Sequence, residues 1–542
     1  MKKYIITLLI LFTALNLNAF NYYGFIRTGA KIEKKNISNT DITPYFNLYL
    51  LNNIREGTAT RAQINFNKDV NELNEFDIYS IDDFYFYMDN YNYPQSKKWY
   101  LHIGDERRAY TPITLWGSKL RGITGGIILN SNEKSFINAI KINGYWGYSK
   151  NKIKGYEALS GEDTSSNKNG QFLQGNYGAD VAFNMGKNLN FQGIYSFFQD
   201  YKDSLATNED YLSTPVKNII IGGKLEYKNK SSRLYFNYAK STYNSDIRDE
   251  NSSDLNGNAI YIESDAYITH NLHLIADLSY IDANYMSIAV SSFNNDLFKV
   301  HSLIDWRGNK MDLSFDGYFK KNNVGGDDEI LTTKEYSISL ADSYNFSDSL
   351  LFAFKGTFKN ADSDKIVNNN YEKWNMYEIG MDITKRFFMG SIFRVFQVTL
   401  TSKYNKRNEN SIINGENATD REFITGGILS SLDLYLISNR LNILIYRINS
   451  NINENIINGI EKFTFNIIKN KWLNHIQYAF LSNNQRSNNI YTRHTIWYGN
   501  EYYITFKNVI KFNIGYEKYD TTLSNEESYN EFLSKIEYQY TF

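Results

Sequence analysis

Along most of this chain, apolar and polar side chains take turns. Ile510, Phe512, Ile514 and Tyr516 alternate with Lys511, Asn513, Gly515 and Glu517. Leu350, Phe352, Phe354 and Phe358 are set off by Leu351, Ala353, Lys355 and Thr357. Met311, Leu313, Phe315 and Phe319 stand against Asp312, Ser314, Asp316 and Tyr318. Leu272, Leu274, Ala276 and Leu278 stand against His273, Ile275, Asp277 and Ser279. A period of two over about ten residues is the signature of a strand with one oily face. Helical spacing would put Phe352 and Phe354 about 200° apart.

Short polar turns punctuate these runs near residues 56, 96, 132, 187, 230, 270, 309, 348, 390, 439, 470 and 507. Between them fall longer polar stretches, at 157–170, 243–257, 360–370, 405–420 and 482–489. Strand, long loop, strand, tight turn is the layout of an antiparallel up-and-down meander. The predicted fold is all-β, a transmembrane β-barrel with short periplasmic turns and longer outer loops. Twelve tight turns with both chain ends on one side imply 26 strands, within a range of 22 to 26. A propeller shares the repeat length, but its strands are shorter and its outer faces have no need to be aromatic.

Composition agrees. The 542 residues are 42% hydrophobic and 16% aromatic, with 45 Tyr, 35 Phe and only 4 Pro. Aromatic residues favour strands. The formal net charge of −1 gives no basic face for nucleic acid. No cysteine is present, which excludes disulfides, thiolate metal sites and thiol nucleophiles. The start, MKKYIITLLILFTALNLNA, has Lys2 and Lys3 before an apolar run from Ile5 to Leu15, with a small residue at Ala19. It reads as a secretory signal peptide over 1–19, leaving 20–542 as a single barrel domain. The apolar run is too short to cross a bilayer as a helix. The first strand, NYYGFIRTGAK, follows at once and leaves no room for an N-terminal plug.

The last strand puts Phe532, Ile536, Tyr538, Tyr540 and Phe542 on one side and Glu531, Lys535, Glu537 and Gln539 on the other. The leader, the alternation and this ending resemble Gram-negative outer-membrane β-barrel proteins. The resemblance implies an integral outer-membrane protein amid lipid and lipopolysaccharide. It also implies that Tyr538, Tyr540 and Phe542 form the signal read by the barrel-assembly machinery. Tyr23-Gly24-Phe25-Ile26-Arg27-Thr28-Gly29 resembles the opening of sugar-specific porins; no substrate residue is carried over from it.

The candidate constriction is Asp105, Glu106, Arg107 and Arg108 with Arg121, on a stretch read either as an outer loop folded into the lumen or as part of a strand pair. Opposed carboxylates and guanidiniums there would set a field across the channel. Trp99, Tyr110 and Trp116 nearby read as part of the aromatic girdle at the membrane interface. Alternation also turns Asp277, Asp312, Asp316, Lys355, Lys511 and Lys535 toward the lumen. The six histidines form no HExxH motif. His301 and Ser302 are strand neighbours on opposite faces, so they make no catalytic pair. No metal, cofactor or enzyme activity is expected. The function expected is a porin-like channel for passive diffusion of small polar solutes. The alternative is a large scaffold or export barrel whose lumen houses a partner protein or polymer, because an open 26-strand cylinder would breach the permeability barrier.

Overall fold

The computed structural model describes residues 22–541, apart from 36–39, 56–57, 68–82, 90–96, 132–134, 151–169, 206–212, 289–294, 389–392, 435–436, 450–453, 469–470, 486–489, 506 and 523–526. Twenty-six strands form one sheet. Every consecutive pair is antiparallel, and the first strand, Tyr22–Lys35, pairs with the last, Tyr529–Thr541. Phe25 lies opposite Thr541 and Lys35 opposite Glu531, so the sheet closes on itself. No helix among the described residues is long and apolar enough to cross a membrane.

Closure fixes every residue to one of two faces. One face carries Trp146, Ile221, Leu400, Ile445, Ile496 and Ile536, each about half exposed. Oily side chains left in the open all round a closed sheet are the mark of a surface solvated by lipid. The other face is polar. Glu537 is only 4% exposed there and draws in Arg27 at 3.2 Å, Lys535 at 3.3 Å and Lys511 at 3.8 Å. The two lysines expected to point inward do so. Asp277 and Asp316 also share the inner face, both reaching His301. Ser302 pairs with Ala276 and Gly317 on the outer side, away from His301's partners.

The count of 26 strands holds, and with it the position of nearly every tight turn. The turn expected near 439 instead lies between Leu434 and Ile437, because Ser438, Asn439 and Arg440 already pair with the preceding strand. The long outer connections are shorter than the polar runs suggest. The strand Ser232–Asn244 and its partner Leu255–Tyr267 consume both ends of the 243–257 run. Phe393–Glu409 and Trp472–Gln485 likewise extend into polar sequence. Polar residues there still form strand because these barrel walls run past the lipid into water. The leader 1–19 and Phe542 lie outside the described residues.

Facing can be tested at a single step along the strand Ile490–Tyr503. Ile496 points outward and is 51% exposed, while Thr495 points inward and donates to Glu517 at 3.2 Å. Ile496→Lys is expected to destabilise the barrel by about 2–4 kcal/mol in lipid vesicles. Thr495→Lys gains a carboxylate neighbour and should cost under about 1 kcal/mol. Equal losses in urea unfolding would show that the faces are assigned wrongly.

Candidate functional site

The strands Lys97–Thr111 and Leu115–Asn130 form a hairpin closed by only three residues, 112–114. Its tip turns inward. Ile113 packs with Ile220, Ala239, Ala259 and Ile281, which lie on the inner face of four other strands. Leu115 packs on Phe198 of a fifth. Both readings of 105–122 are therefore met: it is a strand pair, and it folds into the lumen.

Glycine makes this bend feasible. Gly104, Gly122 and Gly147 stand in one row across three strands. A Cβ on Gly122 would sit 2.1 Å from the Trp146 carbonyl oxygen and 2.5 Å from the Cα of Gly147. Gly104 has φ of 114°, a conformation that only glycine adopts without strain. The row is a crease where the hairpin leaves the cylinder.

A second inward segment clamps the tip from above. After the strand Leu272–Ile281 the chain turns back, and the Tyr285 hydroxyl donates to the Ile113 carbonyl. Ser287 Oγ donates to the Thr114 carbonyl at 2.8 Å. Thr111 and Thr114 bond each other through their hydroxyls at 2.6 Å. Asn218 and Ser241 hold the backbone of Met286 at 3.1 and 3.0 Å. Gly257 lets this segment lie flat, since a Cβ there would meet the Tyr285 nitrogen at 2.1 Å. Burial pushes the Tyr285 phenol above its usual range, which keeps its proton available for the bond.

The five candidate charges divide by face. Arg108 is buried, its guanidinium over the rings of Tyr145 at 5.0 Å and Tyr110 at 5.4 Å. Glu106 lies 3.7 Å from Arg108 and 3.3 Å from His102 Nδ1. Asp105 and Arg121 occupy the opposite face, where Arg121 grips Asp105 through two bonds of 2.8 and 2.9 Å. Arg107 is exposed on that same face, turned away from the wall on which Arg108 rests. The five charges therefore do not share one face. Alternation within a strand sends neighbouring charges to opposite sides, so of the five only Arg107 is left exposed.

Tyr110 also departs from expectation. It packs against Tyr145 on the inner wall and does not join an outer girdle. Trp99 pairs with the outward Ile127, as a girdle residue would. Nothing is described of the Trp116 side chain. Around Tyr145 the wall is a polar net that sequence reading missed. Asp180 accepts from Asn143 at 2.7 Å and from Gln192 at 2.9 Å, and Tyr145 donates to Ser196 at 2.9 Å.

The closed ring with its apolar outer face decides the class. The chain is an integral outer-membrane β-barrel protein. No family model matches it, and no curated protein does. Among solved structures it is similar to the outer membrane protein opdK of Pseudomonas aeruginosa, at 8% identity and a TM-score of 0.29 over 66% of this chain and 98% of that one. The siderophore receptor PirA of the same organism gives 12% and 0.41, over 96% and 80%. The P pilus tip assembly intermediate PapC-PapD-PapK-PapG of E. coli gives 9% and 0.48, over 95% and 60%. These likenesses are too distant to bear on function.

Arg108 and Arg107 should respond differently to truncation. Arg108→Ala strips a buried cation from a half-buried carboxylate and two rings, and is expected to cost about 2–3 kcal/mol of unfolding free energy. Arg107→Ala should stay within about 0.5 kcal/mol of the parent. Denaturant titration of both variants in the same detergent checks the pair, and a silent Arg108→Ala would refute the seating of the hairpin on the wall.

Proposed function

We propose that this protein is a porin-like channel through which small polar solutes diffuse across the outer membrane. The observation that carries the reading is the hairpin folded into the lumen and fastened there at its tip. Such a fastened element narrows a water-lined passage without any moving part or chemistry. Selection would come from width and from charge along a polar wall. Arg107, on the free side of the hairpin, is the proposed charge at the narrowest point. Asp105 with Arg121, and Glu106 with Arg108, are proposed to hold the constriction in shape and not to touch the solute.

The outward stripe of the last strand, with Tyr538 39% exposed and Tyr540 beside lipid on the same face, supports its reading as the assembly signal for the barrel-assembly machinery. Lipid and lipopolysaccharide are the proposed surroundings of the outer face.

A second reading, a scaffold whose lumen houses a partner protein or polymer, is favoured by two observations. Twenty-six strands spaced about 4.8 Å apart and tilted about 40° make a ring roughly 50 Å across if round. The inner face also carries an apolar concavity of about 640 Å³ where Phe423, Tyr446, Ile448, Ile456 and Leu481 gather. A partner would cover that patch; a water-filled pore leaves it wet.

Planar-bilayer recordings separate the two readings. The purified chain is expected to give discrete, ion-selective conductance steps. Arg107→Glu should shift the preference toward cations, and Gly122→Val, which forces the crease open, should raise the step size about twofold or more. A folded chain that gives no steps, or only very large and noisy ones, would overturn the porin reading and favour the filled scaffold.

A further inference from the structure

We propose that His273 and His301 set the ion preference of the lumen and make it rise and fall with pH. The proposal rests on the channel reading above and names the residues that give that channel its selectivity below the hairpin.

Both imidazoles stand on the inner wall made by the strands Leu255–Tyr267, Leu272–Ile281, Leu297–Arg307 and Met311–Asn322. Each faces carboxylates through both ring nitrogens. His301 meets Asp277 through Nδ1 and Asp316 through Nε2, the latter at 2.8 Å. His273 meets Asp265 through Nε2 at 2.7 Å, and its Nδ1 faces Asp305 at 3.8 Å. Its ring stacks on Tyr267 with centroids 4.3 Å apart. A neutral imidazole has one N–H and one lone pair, so between two carboxylates it satisfies one and confronts the other. Only the imidazolium donates to both. His301 has a carboxylate hydrogen-bonded at each nitrogen, while His273 has one such bond and a second carboxylate 3.8 Å away, so protonation of the pair gives the wall two positive charges that loss of the protons removes.

The surrounding charges are of fixed kinds. Around His301, Lys299 reaches Asp277 at 3.5 Å, Glu263 lies opposite Asp277, and Tyr318 and Lys320 turn to Glu335 of the next strand. Beside His273, Arg233 reaches Glu263 at 3.5 Å and stands opposite Asp265, and Arg307 lies next to Asp305 on the same face. Lysine, arginine, tyrosine and carboxylate side chains ordinarily keep one charge state between about pH 5 and 8, whereas histidine does not. The two imidazoles keep 16% and 23% of their side-chain surface open, and Asp265 and Asp316 are more exposed still, so water and ions reach the pairs.

Position matters as much as charge. Ile281, which seats the hairpin tip, and Asp277 lie on the same strand and face, four residues or about 13 Å apart. A solute that clears the tip therefore runs down this wall. Raising the pH strips up to two positive charges from it and leaves four carboxylates without their imidazolium partners. The lumen then favours cations more strongly, and lowering the pH reverses the effect.

Reversal potentials across a potassium chloride gradient, from pH 5 to 8 near 0.1 M salt where the Debye length is about 10 Å, test the proposal. The cation-to-anion permeability ratio of the parent chain is expected to rise about twofold or more with pH. His273→Gln with His301→Gln should hold the high-pH ratio throughout, and His273→Lys with His301→Lys the low-pH ratio. Step conductance in each variant reports that it has folded. A flat profile in the parent, or an unchanged slope in the glutamine pair, overturns the inference while leaving the channel reading intact. A parent chain that shows no steps removes both.

Discussion

The structure depends on one constraint: a backbone that crosses hydrocarbon has to pair every N–H and C=O within itself. A sheet meets it only by having no edge. Here the seam lies between the first and last described strands, eleven residue pairs long from Phe25–Thr541 to Lys35–Glu531. Arg27 reaches across that seam to Glu537, and its amide neighbour Gln539 accepts a further bond from the same guanidinium at 3.2 Å. The closing contact is therefore made on the water side, where charge is cheap, while Ile536 and Tyr538 keep the lipid side dry. Once the ring is shut, inward and outward are no longer local properties. Each register around the circle has to agree with the next, and an even number of antiparallel strands lets it.

Closure also sets the width, and the width creates the need for something inside. The inner wall from Asn143 to Ile281 carries the hairpin and the Tyr285 segment, and it is there that the fully buried residues gather: Phe198, Ile220, Ala239 and Ala259. This buried patch is the nearest thing the barrel has to a core. It forms because the hairpin brings Ile113, Leu115 and Leu120 to a wall of small and aliphatic side chains, against which they leave water. Elsewhere the described wall carries many ion pairs and amides, with an apolar concavity where Phe423, Tyr446, Ile448, Ile456 and Leu481 gather. The two regions answer different demands, one for packing and the other for solvation.

Much of this was legible in the sequence. Alternation such as that of Ile510 to Glu517 has a single reading, and the tight turns count the strands because each must reverse the chain in a few residues. What alternation cannot supply is partnership across the barrel. Tyr285 and Ile113 are 172 residues apart, and nothing in NYMSI marks it as a clamp. Arg107 and Arg108 are chemically alike in the sequence, yet one is exposed and the other lies between two tyrosines. The crease did leave a trace: glycines at 104, 122 and 147 fall within runs that otherwise read as strand, where an isolated glycine marks a bend or close approach. Only the register, which aligns them, turns three separate glycines into one hinge line.

The histidine wall shows why a net charge near zero says little about a lumen. Cations and carboxylates are interleaved and pair within a few ångströms: Lys224, Arg233 and Glu226 form one such group, and Lys403 with Glu378 another. A solute moving along this surface experiences only what fails to cancel. At His301, under the proposal above, the balance turns on a proton, since Asp277 and Asp316 face a single ring with Lys299 on one side. A cancelling wall makes such a site count for more, because no larger background field hides the loss of one charge. Under the channel reading proposed above, discrimination would come from where a few particular charges stand, and those positions are held by the crease, the clamp and the closed ring.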